Sequence, residues 1–96
     1  MSNSTSRHAH GRSEIWERIP IKRAVRAERV RLGATLRKLR KDKDLSLEQA
    51  SEQIGIHSKH LQRVELGTAN VTIATLVAVS VAYGIPLAKL FQKPAK

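Results

Sequence analysis

Apolar residues recur at helical spacing in five successive stretches, separated by polar, glycine or proline punctuation. Residues 21–43 put Ile21, Val25, Leu32, Leu36 and Leu39 at helical spacing, with Lys22, Arg23, Arg26, Arg29 and Arg31 crowding the remaining surface. Pro20 either breaks a preceding turn or starts this helix. Gly33 costs only about 1 kcal/mol against Ala in a helix interior. One long helix, or a separate basic helix ending near Leu32, therefore both fit; the long helix is the preferred reading. Residues 46–55 and 57–67 predict two short helices. Ser46 suits an N-cap, Glu48 the positive helix end, and Gly55 a left-handed stop. Ile56 returns the chain to the core, His57 is a weaker second cap, and Gly67 closes the second helix. Residues 73–83, with Thr72 as cap, are apolar on two sides. One stripe is Ile73, Leu76, Val79 and Tyr83; the other is Ala74, Val77, Ala78 and Val81. Gly84 ends this helix, and Pro86 opens a short last one with Leu87, Leu90 and Phe91 directed inward. The pattern predicts an all-α fold of five helices.

Two short helices joined through Gly55 must cross steeply, which is the geometry of a helix-turn-helix with its motif at residues 46–67. In the second helix, Leu61 and Val64 face inward with Ile54 and Ile56. The opposite face holds Lys59, Gln62, Arg63 and Leu66, with Ser58 at the exposed N-terminal end and His60 on a flank. Arg and Lys donate to guanine O6 and N7, Gln pairs with adenine, and Ser serves either. Ser58, Lys59, Gln62 and Arg63 are the candidate base contacts, Lys59 and Arg63 foremost.

Residues 32–91 resemble the Cro-like (XRE) helix-turn-helix family of phage and bacterial repressors without a gap. The match runs through Leu36-Arg37-Lys38-Leu39-Arg40 in the first helix and Ile54-Gly55-Ile56 at the turn. It continues through Val64-Glu65-Leu66-Gly67, Asn70, Leu76 and Tyr83-Gly84-Ile85. Order and spacing together carry the resemblance. It implies a five-helix lambda-repressor-like DNA-binding domain, here with a basic N-terminal extension. It also implies base reading at Ser58, Lys59 and Arg63, a backbone contact at Asn70, and a structural ion pair between Arg40 and Glu65. Leu47 stands where the family has a phosphate-contacting Gln, so that contact is not carried over. Ala50-Ser51 and Val71 replace the usual Leu-Ala pair and Pro as core adjustments. The remaining candidate backbone contacts are Ser46, His57, His60, Thr68, Lys22, Arg23, Arg26 and Arg29.

Charge adds a partner to this picture. The chain of 96 residues carries a formal net charge of +10, which favours a polyanion, most simply nucleic acid. Residues 1–43 hold 13 Lys or Arg and 4 Asp or Glu, whereas residues 44–96 hold 5 and 4, so the excess lies ahead of the motif. A nearly neutral reading unit behind a basic segment makes physical sense, because the latter supplies sequence-blind affinity. The domain is expected at residues 21–92, with a flexible arm at 1–20 and a polar tail at 93–96. Within the arm, Ile15, Trp16 and Ile19 form an apolar cluster that packs on its own domain or on a partner chain.

Other functions find little in the residues. There is no cysteine, and His8 and His10 have no neighbouring carboxylate or thiolate to complete a metal site. No metal, cofactor or catalytic constellation is expected, and the chain is read as no enzyme. No apolar run approaches a membrane span, and the expected location is cytoplasmic. The second apolar stripe of residues 73–83 asks for a cover. A symmetric homodimer contact through Ala74, Val77, Ala78 and Val81 is the first reading, and the Ile15–Ile19 cluster the second. The leading function is a repressor that occupies a palindromic operator on double-stranded DNA. The alternative is an antitoxin-like interaction module binding a toxin through the arm or the 73–83 surface. RNA binding is weakened by having only three aromatics for base stacking.

Overall fold

The computed structural model describes residues 19–92. The arm readings at His8, His10 and the Ile15–Trp16 cluster lie outside the described residues, as does the 93–96 tail. Four α-helices and one 3-10 helix follow in order: α1 (Ile19–Asp42), α2 (Leu47–Ile54), α3 (Ser58–Leu66), α4 (Ile73–Tyr83) and a 3-10 turn at Leu87–Phe91. The expected fifth α-helix is thus this shorter element. Five residues opened by Pro86, with only Leu90 fully buried, make one tight turn rather than a propagated helix. Leu87 and Phe91, expected inside, are 36% and 46% exposed.

The first helix is unbroken across both residues that left its extent open. Pro20 lies in the first turn, where its missing N–H costs nothing. Gly33 lies mid-helix because α1 crosses α3 there at backbone contact. A Cβ on Gly33 would lie 2.4 Å from the Val64 carbonyl oxygen and 2.5 Å from that of Glu65. The same crossing is closed one turn away at Gly67, which takes φ +78 at the end of α3 and whose Cβ would lie 2.9 Å from Val30 Cα.

The core gathers one side of every helix: Leu32 and Leu36 of α1, Ala50 and Ile54 of α2, Leu61 and Val64 of α3, Leu76, Val79 and Tyr83 of α4, and Leu90. Leu39, Leu45, Leu47, Ile56 and Ala78 pack around it, half-buried. Two positions on α4 depart from the two-stripe reading. Ile73 is 69% exposed, because it sits roughly a quarter-turn from the centre of the buried Leu76–Val79–Tyr83 stripe. Ala78, assigned to the outer stripe, packs partly against the core. The outward apolar face is therefore Ile73, Ala74, Val77 and Val81, with Val81 the most exposed of them at 77% among the large side chains. Among the described residues no helix is long and apolar enough to cross a membrane.

Candidate nucleic-acid interface

The motif is built from local capping before any long-range contact is needed. The Ser46 hydroxyl accepts from the Gln49 amide at 3.0 Å, and the Gln49 side-chain oxygen accepts from the Ser46 amide at 2.9 Å. This reciprocal pair satisfies two otherwise orphaned donors. The Ser-x-x-Gln spacing announces it. Gly55, at φ +90, donates to the Ser51 carbonyl and turns the chain. His57 then caps α3, its Nδ1 accepting from the Lys59 amide at 3.4 Å, a long bond that fits a weak cap. Thr68 closes the far end, its amide and hydroxyl both donating to the Arg63 carbonyl at 3.0 and 3.2 Å.

The back of α3 is fixed by Leu61 and Val64, 1% and 2% exposed. That leaves Lys59, Gln62, Arg63 and Leu66 exposed on the outer side, while Ser58 and His60 are half-buried at its margins. Leu66, 65% exposed, adds an apolar group suited to a thymine methyl. Ser46, His57, Thr68 and Asn70 are also exposed. Lys22, Arg23 and Arg26 are exposed on α1, and Arg29 is half-buried because it donates to the Asn70 side chain across 41 residues of sequence. These two residues, each assigned to DNA backbone, thus meet each other, which no local pattern could reveal.

Behind α3, Arg40 makes a two-pronged contact with Glu65, Nε to Oε2 at 2.8 Å and Nη2 to Oε1 at 2.9 Å. Its Nη1 also donates to the Leu45 carbonyl at 2.8 Å. Both side chains are under 10% exposed. One guanidinium thereby ties α1, the segment entering α2, and α3. The hydrogen bond to Glu65 raises the Arg40 pKa, with desolvation pulling the other way.

Tyr83 lies in the same region, its hydroxyl buried without a hydrogen-bond partner among the described residues. Burial, helped by the Glu65 charge and opposed by Arg40, pushes its pKa up to about 12. An unfolded chain releases this proton near pH 10, so the folded state holds it longer. Stability from this group is intact below pH 10 and is lost as pH rises toward about 12. Melting temperatures recorded from pH 8 to 12 should fall less steeply for Tyr83→Phe than for the parent. Parallel curves would remove Tyr83 from the account of alkaline unfolding.

Among the described residues no three His, Cys, Asp or Glu side chains gather as metal ligands. What the geometry offers is a capped, backed rod with cationic and amide donors along one side, and basic side chains beside it. That arrangement defines a helix-turn-helix DNA-binding protein. The chain belongs to the helix-turn-helix family HTH_3, whose family model matches residues 36–90, and is a transcriptional regulator of this XRE type. It is 39% identical over 65 residues to the control protein C.MunI of Mycoplasma sp, covering 67% of this chain and 88% of that protein. The restriction-modification controller protein C.AhdI of Aeromonas hydrophila shares 32% identity at a TM-score of 0.66, over 68% of this chain and 98% of that one. The clp gene regulator ClgR of Corynebacterium glutamicum shares 32% identity at a TM-score of 0.62, over 65% and 66%. These relatives are regulators, and they do not favour the antitoxin alternative.

Proposed function

We propose that the protein represses transcription as a homodimer seated on a two-fold symmetric operator, each protomer placing α3 in a major groove. Lys59 and Arg63 read bases first, with Ser58 and Gln62 beside them. Ser46, His57, His60, Thr68 and Asn70 hold the backbone, and Lys22, Arg23, Arg26 and Arg29 add charge. The observation that carries this reading is the joint exposure of Lys59, Gln62 and Arg63 on a helix whose back is sealed by Leu61 and Val64. The outward Ala74–Val77–Val81 face of α4 supports self-association, since a symmetric dimer matches half-sites one helical turn apart. The likeness to two controller proteins supports an operator at a restriction–modification locus. Such work is done in the cytoplasm and needs no cofactor and no enzymatic step.

The test is Arg63→Ala. On the duplex the protein prefers, binding should weaken by ~1–3 kcal/mol, and preference at one base position should relax. On random duplex the change should be small. Equal losses on both would make Arg63 a phosphate contact rather than a reader.

A further inference from the structure

We propose that the upstream half of α1 is a second, sequence-blind DNA surface: a rigid basic rail along the phosphates flanking the bases that α3 reads. This rests on the DNA reading above and extends it to residues ahead of the family's matched span. The Aeromonas controller protein is covered over 98% of its length by 68% of this chain, and the family match spans residues 36–90. Only six residues follow position 90. Most of the uncovered remainder therefore precedes the match, and residues 19–35 of α1 are ordered structure ahead of the family's span.

These upstream turns are unlike the rest of the fold. Residues 20–31 carry Lys22, Arg23, Arg26, Arg29 and Arg31 against the single acid Glu28. Glu28 is already paired with Arg31 at 2.9 Å. None of residues 20–31 is buried, so this part of the helix stands off the core. Arg23 and Arg26 make no hydrogen bond or ion pair with any described residue.

The direction of this rod is set, not free. Three neighbouring contacts moor it to the reading helix and the loop that follows it: Gly33 under the Val64 and Glu65 carbonyls, Val30 against Gly67, and Arg29 on Asn70. At 100° per residue, Lys22, Arg26 and Arg29 fall within roughly 60° of one another, on the side that also carries Gly33. The stripe that packs on α3 downstream thus continues upstream as cations. Arg26 and Lys22 lie ~5 and ~10 Å further along the axis than Arg29. Phosphates recur along each strand of a duplex, about every 3.4 Å of axis, whatever the bases, so such a stripe needs no particular sequence. A helix ordered before binding also avoids the entropy that a loose basic tail loses on docking.

The experiment uses the full chain and a 40-base-pair duplex of random sequence, with affinity followed from 50 to 200 mM salt. Each lost phosphate contact should reduce the slope of log affinity against log salt by about 0.9. For Lys22→Gln/Arg26→Gln the slope should be shallower by up to ~1.8 per protomer, shrinking the salt-induced loss roughly tenfold over this range. The preference for a selected sequence over the random one should stay at the parent's value. A charge-matched pair elsewhere, Lys41→Gln/Lys89→Gln, should change the slope less. Lys22→Arg/Arg26→Lys should restore it. A slope equal to the parent's, or no different from the charge-matched pair, would overturn the rail. A parent protein without sequence preference but with the slope difference intact would sink base reading and leave the rail standing.

Discussion

Replacing Glu65 by Gln should cost ~3–5 kcal/mol of folding stability, the usual penalty for stranding one partner of a buried ion pair. Arg40 is the stranded partner. Its Nε and Nη2 lose the carboxylate while its side chain stays 9% exposed, and an amide offers one acceptor and no charge in return. A domain of this size holds roughly 5–10 kcal/mol in all, so Glu65→Gln should lie close to unfolding at 37 °C. The pair need not be a net gain over an apolar replacement. Attraction between the charges is offset by the cost of taking both out of water, so Arg40→Met/Glu65→Leu should recover much of the loss. Urea denaturation of the parent, Arg40→Met, Glu65→Leu and the double variant gives the coupling directly. Additive losses would mean that the two residues act separately. DNA binding should suffer beyond stability in the double variant, because the Arg40 bond to the Leu45 carbonyl that steadies the entry to α2 is lost as well.

Gly33→Ala should also destabilise, against the helix scale. Propensity alone favours Ala by about 1 kcal/mol. The new methyl carbon would meet two backbone carbonyls at 2.4 and 2.5 Å, and neither can rotate away as a side chain would. Relieving that overlap means moving α1 off α3, and overpacking of this kind typically costs ~1–3 kcal/mol. The net should be a loss, read as a lowered melting temperature of several degrees. Because α1 backs the reading helix at this crossing, sequence-specific affinity should fall more than affinity for random duplex. A melting temperature raised by Gly33→Ala would show that the crossing relaxes at no cost and that propensity decides.

The parts of this site legible in the residues are those determined within one turn of chain. Ser46, Gly55, Gly67 and Thr72 each answer a local backbone requirement, an orphan amide or a left-handed φ, and each stands where the spacing put it. The inward Leu61 and Val64, and with them the outward Lys59, Gln62 and Arg63, follow from helical period alone. Beyond the Arg40–Glu65 pair, which the family resemblance implied, legibility ends where two distant segments share one contact. Gly33 looked like a weak point in a helix, and only the carbonyls of residues 64 and 65 explain it. The Arg29–Asn70 contact depends on the bearing of the upstream half of α1, which the family pattern does not cover. The margins of buried faces were equally hidden: Ile73, Leu87 and Phe91 are apolar residues near element ends, where the core has already run out. Period tells which side a residue is on, not whether a neighbour is there to cover it.

Sequences captured by the full-length protein from a random duplex library, at one fixed salt concentration, test base reading by α3 most directly. The parent should enrich a two-fold symmetric sequence with half-sites about one helical turn apart, and Lys59→Ala/Arg63→Ala should fail to enrich it while still holding duplex. A parent that enriches nothing, or a variant that enriches the same sequence, would contradict α3 as the reader.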